Sequence, residues 1–250
     1  MQKDLKRKGK LSRAKKSIIN FFLSKIELSF FPSKCKLCGA DLKAEERAIC
    51  QKCESEFSQH DGPMCPVCGK FYFSLSARDV VCYDCLSENP PFEAHRSAGI
   101  YEGKLRETIL LYKYRKIEYL AKPLAEFLAT RLGDFCDVDC IVPLPSHKKR
   151  LKERGFDHIL KIAKKLGRIM GIDVRKILVR NKYTLPQTGL SRSARLKNPK
   201  GSFSAIKDER YKKILVIDDV WTTGATIREA ARVLKSAGYK VLAATVARDI

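Results

Sequence analysis

Two adjacent carboxylates in the C-terminal part of the chain, Asp218 and Asp219, precede a short run of small and hydroxyl-bearing residues, 222–226. Carboxylates bind the hydroxyl groups of a sugar or a divalent cation. A turn of Thr and Gly that opens a helix offers backbone N–H groups and the positive end of the helix dipole, which suit a phosphate. The spacing therefore predicts a site for a sugar that carries both free hydroxyl groups and a phosphate.

The elements on either side predict how this segment is positioned. Residues 214–217 are a continuous apolar run with β-branched members, which is typical of a strand buried on both faces. Residues 227–237 have a helical pattern that ends at Gly238. Ligands of open α/β sheets bind outside the carboxyl ends of the strands, so we expect the acids and the turn at that edge.

The same segment resembles the 5-phosphoribosyl-1-pyrophosphate (PRPP) motif of type I phosphoribosyltransferases. The resemblance implies that Asp218 and Asp219 hold the ribose 2′- and 3′-hydroxyl groups, with Mg²⁺ accompanying PRPP. It implies that the loop holding the 5′-phosphate consists of Thr222, Thr223, Gly224, Ala225 and Thr226. The loop is not a Walker A motif, because no Gly-Lys-Ser/Thr sequence is present.

Alternating strand and helix patterns after residue 90 predict an α/β fold, an open and mainly parallel sheet with helices on both faces. The resemblance implies the type I phosphoribosyltransferase version of it. We expect strands at 99–101, 138–142, 174–179, 214–217 and 240–246, and helices at 105–114, 120–132, 156–169 and 227–237. Pro123 fits only the first turn of the second helix, which predicts a break near residues 116–122.

A strongly basic segment, 146–154, follows the 138–142 strand and is predicted to be a loop at the same sheet edge as the acids. A ligand between the two would place its pyrophosphate near the basic loop and its ribose near the acids. The candidate pyrophosphate residues are Ser146, His147, Lys148, Lys149 and Arg150. A second basic stretch, 180–201, has no steady period, and its length predicts a flap over the ligand.

Eight of the ten cysteines form four Cys-x-x-Cys pairs, which predict two structural Zn²⁺ sites with four thiolates each. The predicted ligands are Cys35, Cys38, Cys50, Cys53, Cys65, Cys68, Cys82 and Cys85. Sequential pairing of neighbouring motifs is favoured because it closes shorter loops. A cross-braced pairing, first motif with third, is the alternative. Cys136 and Cys140 are expected to be core or near-core thiols.

The composition predicts attraction to polyanions, since 50 Lys and Arg against 28 Asp and Glu give a formal net charge of +22. The predicted organisation is a basic tail and amphipathic helix (1–31), a double zinc ribbon (32–90) and a phosphoribosyltransferase-like domain (91–250). The amphipathic helix could lie on a membrane surface, but docking on protein is favoured. Without an apolar run long enough to span a membrane or a signal-peptide cleavage site, we expect a cytoplasmic protein.

Taken together, residues 32–249 resemble the ComF family of competence proteins, of the ComFC and GntX type. Besides the cysteines and the PRPP motif, the resemblance is carried by residues 141–145, 150–156, 186–191, Arg195, Asn198, Gly201 and 247–248. It implies a phosphoribosyltransferase-type domain and an association with DNA uptake in natural transformation. The family usually has Asn-Gln after Arg-Gly-Phe, where this chain has Asp157 and His158, so the ligand preference differs if that pair touches the ligand.

Two functional hypotheses follow. In 6-oxopurine phosphoribosyltransferases a carboxylate near the phosphate loop is the base, and Thr222 stands at that position here, so no catalytic residue is assigned. The favoured hypothesis is a PRPP-binding protein that handles single-stranded DNA, with the DNA-uptake machinery as a possible partner. Residues 71–73, all aromatic, could stack on bases, although packing under the ribbon is favoured. The alternative is an active phosphoribosyltransferase that uses an unidentified nitrogen acceptor and releases pyrophosphate.

Overall fold

The computed structural model describes residues 33–43, 46, 48–74, 80–181 and 200–250, which form two compact units, Met1–Ser55 and Glu56–Ile250. The predicted N-terminal helix and most of the predicted flap, residues 182–199, lie outside the described residues. The division of the chain at residues 31 and 90 stays a prediction. Among the helices that the structure describes, none is long and apolar enough to cross a membrane.

The first unit contains one cysteine knuckle that leads to a second. In the knuckle, the Cys35 N–H donates to the Ala40 carbonyl at 2.8 Å and the Gly39 N–H donates to the Cys35 carbonyl at 3.0 Å. Gly39 has φ +76°, which a residue without Cβ adopts at little cost. A short helix, α1 (Gln51–Ser55), follows and carries the buried Cys53.

The second unit is built on a parallel sheet. Among its described residues, the strands are β1 (Ala94–Ile100), β2 (Cys140–Pro143), β3 (Asp173–Val174), β4 (Leu178–Arg180), β5 (Phe203–Ala205), β6 (Lys213–Trp221) and β7 (Lys240–Arg248). Five of them form one sheet in the order β1-β7-β6-β2-β3, and every neighbouring pair is parallel. The other two, β4 and β5, form an antiparallel pair on either side of residues 182–199. The predicted strand at 214–217 is therefore the central strand, and all four of its residues are fully buried.

The helices among the described residues of this unit are α2 (Tyr83–Glu88), α3 (Gly103–Tyr114), α4 (Ala121–Ala129), α5 (Lys148–Arg154), α6 (His158–Met170) and α7 (Ala225–Ser236), with 3-10 turns at Glu118–Leu120 and Gly133–Cys136. Of these, α4, α6 and α7 pack on the sheet. Apolar residues of α7, such as Ile227 and Leu234, pack with Val216 of β6. Strand alternation turns Leu215 to the opposite face. Helices α4 and α6 pack on each other and contact β7 and β2. The predicted open parallel α/β sheet is confirmed, as is Pro123 in the first turn of α4.

Several predicted boundaries are wrong, each for a local reason. The basic segment predicted as a loop contains the helix α5, because its Lys, Arg, Leu and Glu residues favour helix and Gly155, at φ +80°, ends it. The strand predicted at 174–179 is two short strands, β3 and β4, that belong to different sheets. The strand predicted at 99–101 begins at Ala94, because pairing with β7 outweighs its polar residues. The central strand continues to Trp221, so both acids lie within it.

Candidate functional site

The two acids of the motif lie near the carboxyl end of β6, where Asp218 is paired with Thr245 of β7. Successive side chains of a strand point to opposite faces of the sheet. Because β6 continues through both residues, Asp218 and Asp219 are directed to opposite faces. Asp219 is 7% exposed, whereas Asp218 is only partly buried. The two carboxylates therefore have different surroundings.

Asp219 is held by two donors from distant helices. Its Oδ2 lies 2.7 Å from Nζ of Lys113, on α3, and 2.8 Å from Nε2 of His158, the first residue of α6. Burial by itself would raise the pKa of Asp219, but the Lys113 charge and the His158 hydrogen bond outweigh burial and hold that pKa below its usual range. Asp219 is therefore an ionised carboxylate with both partners in place.

His158 is neutral at physiological pH, because burial lowers its pKa more than the contact with Asp219 raises it. An ionised carboxylate only accepts, so Nε2 carries the proton and donates it to Asp219. Nδ1 is then the acceptor, with Oγ of Ser146 at 3.4 Å, and Nη1 of Arg154 lies against the ring, 2.9 Å from Nδ1 and 2.7 Å from Nε2. The Tyr112 hydroxyl donates to the His158 carbonyl at 2.7 Å and fixes the start of the helix.

The position where this chain departs from the family pattern thus has two distinct roles. Asp157 is the N-cap of α6, and its side chain accepts a hydrogen bond from the Leu160 N–H at 3.2 Å. His158 instead contacts an acid of the predicted PRPP motif. The departure therefore changes the immediate surroundings of Asp219.

Asp218 lies in a different electrostatic environment. Its Oδ1 accepts the Asp219 N–H at 2.9 Å. Burial and then the neighbouring Asp219 charge raise the pKa of Asp218 to about 7. The charge of Arg180, at the end of β4, lowers the pKa of Asp218. The pKa of Arg180 is itself lowered to about 10, first by burial and then by the charge of Arg150. Asp218 can thus gain or lose a proton near neutral pH, with the Arg180 guanidinium close enough to act on it.

The predicted phosphate turn opens α7 as expected. Gly224 is the N-cap residue, with φ +72°, and α7 starts at Ala225 and runs for 12 residues. The Thr223 hydroxyl accepts a hydrogen bond from the Ala225 N–H at 3.4 Å. Thr222 and Thr226 are partly buried. The turn therefore presents the N-terminus of a three-turn helix beside the acids, the arrangement that binds phosphate groups.

The basic segment reaches the same edge of the sheet, since the Leu144 N–H donates to the Ile217 carbonyl at 3.0 Å. Of its candidates, Ser146 approaches His158, and Arg150 acts electrostatically on Arg180. His147 is the N-cap of α5, with its Nδ1 accepting the Lys149 N–H at 3.1 Å. Lys148 and Lys149 are exposed on the helix. The structure brings two of the five candidates into the surroundings of the acids and turns two outward.

Sequence reasoning missed Lys113 and Arg154 as site residues. Lys113 stood among the basic residues on one side of a predicted helix, with no motif around it, and only the packing of α3 brings it to Asp219. Arg154 was counted as part of the basic segment and not as a partner of His158. For His158 a signal existed, because it replaces the residue usual in the resembling family.

The eight paired cysteines fit two zinc centres. They form two groups, 35/38/50/53 and 65/68/82/85, and the sulfur atoms of each group lie within 4.8 Å of one another. Sequential pairing is therefore confirmed. Sulfurs 2.3 Å from a tetrahedral zinc are about 3.8 Å apart, and Cys35–Cys53, Cys38–Cys50 and Cys68–Cys82 have Sγ–Sγ distances of 3.8, 3.7 and 3.6 Å. Four thiolates leave no open coordination position, so these zinc ions are structural.

Backbone N–H groups stabilise the thiolate form of Cys65 in the second group, which favours binding of a cation. The Cys82 N–H points at Sγ of Cys65 from 3.4 Å. Burial raises the pKa of Cys65, but this donor and the Cys68 N–H outweigh it and lower that pKa to about 7. Cys140 is fully buried in the core as predicted, and burial raises its pKa to about 12. The Cys136 side chain lies outside what the structure describes.

The three aromatic residues beside the third knuckle have different environments. Phe71 is buried and stacks on the His60 ring with centroids 4.4 Å apart. The Tyr72 hydroxyl donates to the Val80 carbonyl at 2.9 Å. Phe73 is 76% exposed. Packing under the ribbon thus accounts for Phe71, whereas Phe73 remains accessible.

Two family models match the chain. Residues 28–86 match the double zinc ribbon domain, and residues 117–249 match the phosphoribosyl transferase domain. Competence protein F of Haemophilus influenzae is 27% identical over 85% of this chain and 95% of its own. Competence protein ComFC of Streptococcus pneumoniae is 27% identical over 83% and 96%. DNA utilization protein YhgH of Escherichia coli is 27% identical over 81% and 91%.

The phosphoribosyl transferase match covers more than half of the chain and includes β2, β6, β7 and both acids of the motif. The double zinc ribbon match includes seven of the eight predicted ligands in its interior and the eighth, Cys85, next to its end. The chain therefore belongs to the phosphoribosyl transferase domain family and, with its double zinc ribbon, to the ComF-type competence proteins.

Proposed function

We propose that this protein binds PRPP, with Mg²⁺, and engages single-stranded DNA during DNA uptake. The observation that carries the proposal is the placement of Asp218 and the Gly224 turn at the same edge of the sheet. The acid lies near the carboxyl end of the central strand, and the turn begins the helix that follows that strand. A ribose 5-phosphate has hydroxyl groups and a phosphate at a spacing that such an arrangement can bind.

Each part of PRPP has candidate partners in this chain. Asp218 is the carboxylate for a ribose hydroxyl or for Mg²⁺, which prefers oxygen ligands from one or two carboxylates and from phosphates. The turn binds the 5′-phosphate, and Arg150 and Arg180 attract the pyrophosphate. Asp219, directed to the opposite face and held by Lys113 and His158, fixes the end of the strand.

The DNA part of the proposal rests on the positive net charge of the chain and on its sequence similarity to known proteins. The net charge of +22 predicts attraction to phosphates, and the exposed Lys148 and Lys149 add two cations at the edge of the site. The relatives are described as competence proteins and as DNA utilization proteins. We therefore expect binding to single-stranded DNA that weakens steeply with salt. A cytoplasmic location remains part of this proposal.

Calorimetry with PRPP, with and without Mg²⁺ and a single-stranded oligonucleotide, tests the proposal. We expect Asp218→Asn to weaken PRPP binding at least about tenfold, a loss of about 1.4 kcal/mol. Asp137→Asn is the matched control. Asp137 is exposed and far from the acids, because its Oδ2 lies 3.4 Å from Nζ of Lys213, the residue that begins β6. No heat from PRPP with the wild-type chain, or an equal loss in both variants, would reject the site.

Transfer of the phosphoribosyl group is the second candidate, and the match to the phosphoribosyl transferase domain favours it. In this reaction a nitrogen nucleophile bonds to ribose C1 while the bond to pyrophosphate breaks. Pyrophosphate release in a screen of bases and amines tests it. Turnover that is lost in Asp218→Asn supports catalysis, and no turnover with any acceptor leaves ligand binding as the function.

A further inference from the structure

The predicted phosphate turn, 222–226, packs on the indole ring of Trp221, the single tryptophan of the chain. This side chain is 4% exposed. A Cβ placed on Gly224 would lie 2.1 Å from Cζ2 of the indole, which shows how closely the turn backbone packs on the ring. The position of Trp221 therefore determines where the backbone N–H groups of the turn lie.

Trp221 is held by residues that also hold the second four-cysteine group, at 65/68/82/85. The Arg248 guanidinium lies 4.7 Å from the centroid of the indole, and its Nη2 donates to the carbonyl of Cys68. The His95 ring lies 4.1 Å from the indole, and its Nδ1 bonds the same carbonyl at 2.9 Å. One carbonyl within the third knuckle thus fixes two side chains that both contact the indole.

The fourth knuckle contacts the helix that follows the turn. Helix α2 carries Cys85 and ends at Glu88, and Glu88 forms an ion pair with Arg228 in the first turns of α7. The four cysteines also share one apolar cluster with Trp221 and Ile227. All of these residues lie in the same compact unit, Glu56–Ile250.

We propose that the second zinc centre positions the phosphate turn, with Arg248 and Trp221 as the positioning residues. Zinc closes the third knuckle and so fixes the Cys68 carbonyl, which holds Arg248 and His95 against the indole beneath Gly224. We expect no such role for the first cysteine group, which lies in the other compact unit. The expected effect of the zinc centre on PRPP affinity rests on the proposed function. The expected effect of the zinc centre on the position of the turn does not.

Matched cysteine variants separate the two zinc centres. Cys85→Ser and Cys53→Ser each remove the last ligand of one group, and each is expected to lower the zinc content from two ions per chain to one. In Cys85→Ser we expect a red shift of the Trp221 emission and at least tenfold faster amide hydrogen exchange in residues 222–226. PRPP binding should weaken at least tenfold. Cys53→Ser should leave all three readouts unchanged.

Arg248→Met tests the link without replacing a zinc ligand. We expect two zinc ions, a changed Trp221 emission, faster exchange in residues 222–226 and weaker PRPP binding. This variant decides the question if Cys85→Ser does not fold. Unchanged exchange and emission in Arg248→Met, or equal effects of Cys53→Ser and Cys85→Ser, would overturn the proposal. If the wild type does not bind PRPP, exchange and emission still test the link, so its failure is distinct from failure of the proposed function.

Discussion

Lys113→Met isolates the ion pair that holds Asp219. Lys113 and Asp219 have side chains only 14% and 10% exposed, and their charged atoms are 2.7 Å apart. Removing one partner of a buried pair leaves an uncompensated charge and typically costs about 3–5 kcal/mol. Methionine keeps the length of the side chain, so little of the loss is due to a cavity. For a unit of this size the melting temperature should fall by about 6–20 °C.

The loss should depend on pH in a direction set by His158. In the wild type its pKa lies below the usual value, so the wild type loses stability as the pH falls through about 6.5. The Lys113 charge is one of the causes that lower the His158 pKa, so without it we expect that pKa to lie closer to its usual value. The variant then loses less stability than the wild type as the pH falls below about 6.5. The difference between wild type and variant should be smaller at pH 6 than at pH 8.

Urea unfolding followed by Trp221 fluorescence measures this difference. Lys161→Met is the matched control, because Lys161 pairs with Glu118 on the surface, where the two side chains are 40% and 45% exposed. A surface pair is worth about 0–1 kcal/mol, with little dependence on pH in this range. Equal losses in the two variants, or a Lys113→Met loss that is the same at pH 6 and pH 8, would refute the reasoning about Asp219.

Three further outcomes are expected. Gly224→Ala should lower stability and weaken PRPP binding in calorimetry, because the added Cβ would clash with the Trp221 ring and the backbone has φ +72°. Gly171→Ala is the control: its φ is +70° but the space around it is open, so it should show only the backbone cost. PRPP affinity should rise between pH 6 and pH 8 as Asp218 ionises, and Asp218→Asn should remove that slope in a titration series. Asp218→Asn should also stabilise the protein at pH 8. Because the pKa of Asp218 is raised in the folded state, the wild type loses stability as the pH rises to about 7, and the neutral Asn does not. A lower unfolding midpoint for the variant would contradict this.

The sequence predicted the parts of the site that are continuous in the chain. A buried strand, two acids, a Thr-Gly turn and a helix follow one another within 25 residues, so each constrains its neighbours and local patterns suffice. The zinc groups were predictable for the same reason, because two thiolates two residues apart can face one ion. The basic segment was assigned to the correct edge of the sheet but to the wrong local structure, because its charge was weighed above the helix-favouring residues that form α5.

What the sequence alone determined is the chemistry and its order along the chain: the acids, the turn, the cysteines and the parallel α/β framework. The tertiary structure decided which partners each group has. Only the packing of α3 and α6 brings Lys113 and His158 to Asp219, and only the pairing of β6 with β7 brings Trp221 beside Arg248. Because these contacts join residues far apart in the chain, their geometry is fixed by strand register and helix packing, which no local pattern encodes.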